Sequence, residues 1–175
     1  MTALMPVPAI TAGTARRVPR LLAGLGHPPG LAGHEHAYGP LRVPPRRPGR
    51  LIDVVEASGL TGRGGAGYPA GCKMRAVAVA PGRKTVVANG AEGEPASGKD
   101  RLLLTRLPHL VLDGIALAAQ AVGADQAYLR VHGTDGALLG HLDRAVAERE
   151  AAGSRPGSGR CSAGRRPAIQ GQPAC

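Results

Sequence analysis

The chain has no tryptophan and no phenylalanine, and tyrosine occurs only three times in 175 residues. With so few rings it has almost nothing to stack on nucleobases, which argues against single-strand nucleic-acid binding on aromatic platforms. Three cysteines, Cys72, Cys161 and Cys175, form neither a disulfide framework nor a CxxC metal motif, and they suit a reducing, cytoplasmic compartment. Long apolar runs are missing too. Pro6, Pro8, Arg16 and Arg17 break up the start, so no direct membrane insertion is expected. The length fits one domain of ordinary size.

What is present is unevenly distributed. The formal charge is +10, which first suggests a nucleic-acid partner. Residues 1–50 carry seven arginines against Glu35, and residues 151–175 carry four arginines and no acid. Residues 51–150 carry eleven basic and eleven acidic side chains, so the basicity belongs to the ends. Nine of the sixteen prolines also lie in residues 1–50, which leaves the neutral middle as the part able to fold. The acid-free stretch before Glu35, with Arg16, Arg17 and Arg20, faintly resembles an organelle transit peptide. Pro19, Pro28 and Pro29 spoil the continuous helix such a peptide needs.

The pattern along the chain predicts an α/β layer. Val18 to Leu25 suggests a short helix, and residues 45–50 (PRRPGR) read as a linker. A helix is predicted at Leu51 to Ser58, with Ile52 and Val55 inward and Gly59 as its stop. Residues 62–71 are the densest glycine region. Arg83 to Asn89 reads as a buried strand, and Gly90 to Lys99 as a second loop leading into helical material. Pro108 opens a helix to about Val122 whose Val111, Ile115, Ala118 and Val122 share one face, with Gly123 ending it. Ala127 to Val131 is a further strand and Gly136 to about Ala151 a further helix, with Leu138, Leu142 and Ala145 inside. Strand, helix, strand, helix points to parallel pairing. After Gly153 the period stops, and residues 153–175 are expected to be a disordered basic tail.

Two loops carry the chemistry. Gly62, Gly64 and Gly67 satisfy G-x-G-x-x-G, but a dinucleotide fingerprint should follow a strand and this loop follows a helix. The glycines would still let backbone N–H groups approach a phosphate, with Arg63 and Lys73 adding charge; a plain flexible loop is the alternative. Asn89, Glu92 and Glu94 follow the first strand, where ligands of α/β sheets collect. Asn suits a heterocycle edge and the glutamates suit hydroxyls or amides, whereas a solvated acidic turn is the bland reading. His34, His36, His132 and His141 read as surface or linker residues rather than metal ligands, and no metal site is expected.

Taken together, GLTGRGGAGYPAGCKM and VVANGAEGEPASGKDR resemble the FMN-binding 51 kDa, or F-type, subunit of NADH:quinone oxidoreductase (respiratory complex I). The family pattern is close to GLRGRGGAGFPTGxKW, then NADEGEPGxxKDR, then a helix starting near PH, as at Pro108-His109 here. The resemblance covers about Leu51 to Ala151. It implies an N-terminal part of the family: a Rossmann-like FMN-binding domain of parallel strands with flanking helices, incomplete, over residues 51–152 between a Pro/Arg-rich segment 1–50 and the tail. It implies FMN and NAD(H) as cofactors, with hydride passing from NADH to the flavin and electrons leaving for iron–sulfur centres or quinone. Partners would be the 2Fe–2S and other iron–sulfur subunits of such a complex. Location would be cytoplasmic, peripheral at the inner membrane through that complex.

Carried over by position, Gly62, Arg63, Gly64, Gly65, Ala66 and Gly67 would surround FMN and the dinucleotide, and Tyr68 stands where the family has Phe. Lys73, Asn89 and Glu92 would contact the flavin, and Glu94 would lie near the nicotinamide. No side chain need act as general acid or base, so no catalytic residue is assigned. Ala91 replaces the usual Asp, Met74 the usual Trp and Cys72 the usual Leu. The family's second flavin loop and four [4Fe–4S] cysteines do not follow, and the tail reads as frameshifted or truncated. The competing expectations are a non-catalytic assembly fragment that keeps the fold and a basic nucleic-acid binder acting through the arginine-rich ends.

Overall fold

The computed structural model describes residues 20–42, 49–63, 66–93, 96–132, 135–153 and the backbone of 168–172. The expected α/β layer is there. A 3-10 helix over Arg20–Gly26 precedes α1 (Leu31–Tyr38), α2 (Arg50–Ala57), α3 (Ala70–Val79), β1 (Thr85–Asn89) and α4 (Lys99–Arg106). Then come α5 (Pro108–Val122), β2 (Gln126–His132), α6 (Gly136–Ala151) and β3 (Ala168–Gln172). The strands form a parallel sheet in the order β1-β2-β3, with Val87 beside Tyr128 and Asn89 beside Arg130.

The sequence explains why the central helix runs where it does. Pro108 occupies its first turn, where no backbone donor is lost, and Gly123 closes it with a φ of 68°, a conformation an L side chain resists. Between them Leu112, Ile115 and Val122 are buried, while Val111 packs at the core margin. Leu129 and Val131 meet them from β2, and Leu142, Ala145 and Val146 from α6. α5 lies on β1 and β2, α6 lies on β3, and α5 and α6 touch, so both cover the same face of the sheet. α1, α2, α3 and α4 pack on α5 as well. The helices are therefore stacked on one side.

Two helices escape the sequence pattern. α3 begins at the end of the glycine region, so the loop does open a helix. α1 lies in the Pro/Arg-rich segment 1–50, where only Val18 to Leu25 suggests a helix, and its His34, expected at the surface or in a linker, is only 6% exposed. The correction has a physical reason. His34 Nε2 lies 2.8 Å from Asp113 Oδ2 on α5, and Arg149 on α6 pairs with Asp113 Oδ1 at 2.6 Å. Arg149 also donates to His109 Nδ1 and to the His109 carbonyl. His109 Nε2 faces Glu148 at 3.2 Å, and Glu148 accepts the Leu31 N–H at the start of α1. A polar network thus fastens α1, although the isolated octapeptide has no apolar face to suggest burial. His36 is exposed, and His141 is half-buried on α6.

The tail also departs from expectation: Ala168–Gln172 pairs in parallel with β2 over Tyr128 to His132. The linker at 45–48 and residues 1–19 fall outside the described residues. Among the described residues, no single helix is long and apolar enough to cross a membrane.

The network sets a pH response. Burial, with Arg149 beside it, pushes the His109 imidazole below its ordinary value. Burial pushes the Asp113 carboxyl up, but the hydrogen bond with His34 and the charge of Arg149 outweigh it, leaving a net lowering. Both groups therefore bind protons more readily in the unfolded chain. Their stabilisation is present above the unfolded imidazole value of about 6.5 and declines as pH falls below it, with Asp113 adding a further loss in the carboxylate range. Melting temperature should fall as pH is lowered from 8 to 5. In Arg149→Ala, which leaves Asp113 buried without its cation, the melt at pH 8 should already be lowered by an amount equivalent to about 3 kcal/mol.

Candidate functional site

The site is built at one end of the layer. Five residues, 80–84, turn the chain from α3 back into β1. α3 is about 15 Å long and β1 about 17 Å. The glycine loop that enters α3 therefore lies at the same end as the carboxyl terminus of β1. α4 and α6 also start at that end, since each follows a strand, and Arg101 Nη1 on α4 sits 3.9 Å from Asp135 Oδ2 at the start of α6. This is where α/β sheets bind ligands.

The glycine loop is a closed excursion. Thr61 and Pro69 form an antiparallel bridge, Gly62 N–H donates to the Tyr68 carbonyl at 3.0 Å, and Ala70 N–H donates to the Leu60 carbonyl at 2.8 Å. Below this neck, Arg75 of α3 pairs with Asp53 and Glu56 of α2 and fixes the spacing of the two helices. A Cβ at Gly71 would run into the Glu56 side chain and come within 3.0 Å of its backbone nitrogen, so α2 and α3 meet there backbone to backbone. Gly67 is different: its φ is 59°, and among the described residues, which exclude 64 and 65, a Cβ there would meet nothing within 4 Å. Arg63 and Ala66 are exposed, Tyr68 is 53% exposed, and Lys73 Nζ stands 5.5 Å from the centre of the Tyr68 ring.

The acidic loop is held by its own side chains. Asn89 Oδ1 accepts from Ala91 N–H, and Gly90 N–H continues the sheet pairing to the Arg130 carbonyl at 2.8 Å. Glu92 Oε2 accepts the N–H groups of Asp100 and Arg101 in the first turn of α4, and Oε1 accepts from Ser97 Oγ and Lys99 Nζ. The Ser97 hydrogen bond, followed by Lys99 and the helix N–H, holds the Glu92 carboxyl down at about 2. His132 Nε2, at the end of β2, lies 3.1 Å from the Glu92 carbonyl oxygen. His132 is exposed, as expected, and its contact with the loop backbone is the part the sequence did not signal. Gly64, Gly65 and Glu94 lie outside the described residues, as do Cys161 and Cys175. Among the described residues, no three His, Cys, Asp or Glu side chains are grouped to hold a metal.

Three helix starts thus share this end, but they differ. α4 receives the Glu92 carboxylate, and α6 receives Asp135, which accepts the Leu138 N–H at 2.9 Å. α3 has Pro69 at its cap and no side-chain acceptor. Its first turn, next to the open glycine loop with Arg63 and Lys73, suits an anionic group such as a phosphate. The residues present therefore fit the phosphate end of a cofactor such as FMN.

Residues 55–172 match the family model described as the Nuo51 FMN-binding domain. The chain belongs to this family. The match includes β3, so the family extends into the tail whose sequence pattern had suggested disorder. An F-type subunit (F 2) of the NADH-quinone oxidoreductase of Rhizobium meliloti is 39% identical over 102 residues, which is 58% of this chain and 24% of that protein. The alpha subunit of the NAD-reducing hydrogenase HoxS of Cupriavidus necator is 39% identical over 103 residues, 58% of this chain and 17% of that one. A crystal structure of NAD+-reducing [NiFe]-hydrogenase in the H2-reduced state aligns with a TM-score of 0.55 and 34% identity, covering 79% of this chain and 21% of that chain. The chain spans about a quarter or less of the length of these relatives.

Within this Nuo51-type domain, Gly67 and Gly71 should both lose stability on substitution by alanine, for different reasons. Gly71→Ala forces α2 and α3 apart and should cost about 1–3 kcal/mol by urea unfolding. Gly67→Ala has space but the wrong backbone conformation, and should cost about 1–2 kcal/mol.

Proposed function

We propose that the chain is the flavin-side part of an NADH-oxidising module, taking hydride from NADH onto FMN and passing electrons to iron–sulfur centres or quinone through partner subunits. One observation carries the reading: an uncapped helix start behind an open glycine loop shares one end of the sheet with a rigid Asn-Gly-Ala-Glu loop. When bound, FMN supplies the two-electron acceptor, and the protein's part is binding, orientation and exclusion of water. The glycine loop and the first turn of α3 would take a phosphate, with Arg63 and Lys73 neutralising it. Tyr68 would offer a flat apolar surface to a ring, and Asn89 a polar contact. Glu92 would act on the cofactor through the loop backbone it holds, since its carboxylate is turned into α4. Glu94 would lie near the nicotinamide, as the resemblance implies. The setting would be the cytoplasmic side of the inner membrane, held there peripherally by 2Fe–2S and other iron–sulfur subunits.

A second reading has an observation of its own. Ala91 stands where the family carries Asp, which removes a hydrogen-bonding group from the flavin side. That favours an assembly fragment that keeps the fold without turnover. The two separate on binding and on rate. Titration of FMN into the purified chain, followed by flavin fluorescence, should show saturable binding weakened about tenfold by Lys73→Ala, a loss of about 1.4 kcal/mol. Ala91→Asp should tighten it. No flavin binding and no thermal shift with NADH would remove the module reading, and measurable NADH:ferricyanide turnover by the chain would remove the fragment reading.

A further inference from the structure

The backbone ladder between β1 and β2 runs out where the acidic loop begins. Asn89, the last residue of β1, lies beside Arg130, and Gly90 N–H makes one more bond, to the Arg130 carbonyl at 2.8 Å. β2 goes on for two residues, Val131 and His132, in register with β3. Beyond Gly90 a side chain takes over from the ladder: His132 Nε2 lies 3.1 Å from the Glu92 carbonyl oxygen. A carbonyl only accepts, so the ring carries a proton on Nε2 and donates it.

The pleat puts His132 in a position to do this. Leu129 and Val131 are buried in the core, and alternation along the strand turns Arg130 and His132 the other way. His132 is exposed and adds nothing to the core. Glu92 is therefore held at two points on two elements. Its carboxylate takes the Asp100 and Arg101 N–H groups of α4, and its carbonyl takes His132 of β2. A loop held at one point can pivot about it; a loop held at two cannot. The root of the loop is caught between the same two elements, since a Cβ at Gly90 would come within 2.9 Å of Leu104 Cδ1 on α4 and 3.3 Å of the Arg130 carbonyl on β2.

We propose that His132 is a positioning residue for the acidic loop, its ring supplying the bond to β2 that the β1 backbone no longer makes. It does not touch the cofactor in this arrangement. It acts through the Glu92 backbone, and so on where the polar groups of the loop, Asn89 among them, stand relative to the glycine loop. This deepens the proposed function and rests on it only for the cofactor that the loop serves.

The test compares the full chain with two variants. His132→Leu keeps bulk and loses the donor. His132→Gln places an amide nitrogen near the position of Nε2 and donates without a ring. Hydrogen exchange is followed by mass spectrometry with no flavin added. The segment 90–99 should exchange about fivefold faster in His132→Leu, the effect of one hydrogen bond of ordinary net strength, and return to the parent rate in His132→Gln. The protection of α5 should be the same in all three. FMN titration should follow the same order, with Kd raised about fivefold by His132→Leu and restored by His132→Gln. Unchanged exchange of 90–99 in His132→Leu overturns the proposal. Equal loosening in both variants overturns it too, because the ring rather than the donor then matters, and so does loss of protection in α5, which marks a general structural role. A loop that loosens while FMN Kd stays constant removes the positioning role as well. If the parent chain binds no FMN, the flavin reading fails by itself, and exchange in the flavin-free chain still decides for or against the brace.

Discussion

Nearly everything in this molecule depends on burying α5. Fifteen residues from Pro108 to Val122 carry apolar side chains on more than one face, and a helix of that kind is stable only when surrounded. The sheet covers one side through Leu129 and Val131, α6 another, and α1 to α4 the remainder. The site inherits this arrangement. α3 leans on α5 and so carries the glycine loop to the carboxyl end of the sheet, and α4, locked by Glu92, carries the acidic loop there. Their positions are consequences of what their helices lie against.

The fastening of α1 shows a different solution. Its partners on α5 and α6 are His109, Asp113, Glu148 and Arg149, a polar set in which each charge has a counterpart. Such a network adds little net stability over an apolar contact of the same shape, but losing one member is costly because the rest stay buried. It also admits only one register of α1, since His34 and Leu31 must both reach their acceptors. An octapeptide with little apolar surface is thereby placed as definitely as a longer amphipathic helix would be.

What could be read from the sequence follows the same division. α2, α5 and α6 are legible because their burial is apolar and periodic, and β1 and β2 because their side chains are β-branched or aliphatic between breakers. Pro108 and Gly123 mark the ends of α5 within a residue. α1 and α3 are not legible: one is held by hydrogen bonds from His34 and Leu31 to side chains 79 and 117 residues away, the other by a backbone approach at Gly71 and the Arg75 clamp. β3 is illegible for a third reason. Its AIQGQ has no alternation, and pairing to β2 supplies what its composition does not. At the site, residue types pointed to the right loops, but they did not reveal that the Glu92 carboxylate faces its own helix or that His132 reaches the loop backbone.

Ala91 bears on the proposed flavin site. If the family's Asp contacts the flavin, as the resemblance implies, Ala91 lacks that one hydrogen bond, worth about 1 kcal/mol net or a factor of about five in affinity. Its backbone N–H is meanwhile bound by Asn89 Oδ1, so the loop keeps its shape without the Asp side chain. The substitution would therefore act on how tightly a flavin is held rather than on whether the loop is formed.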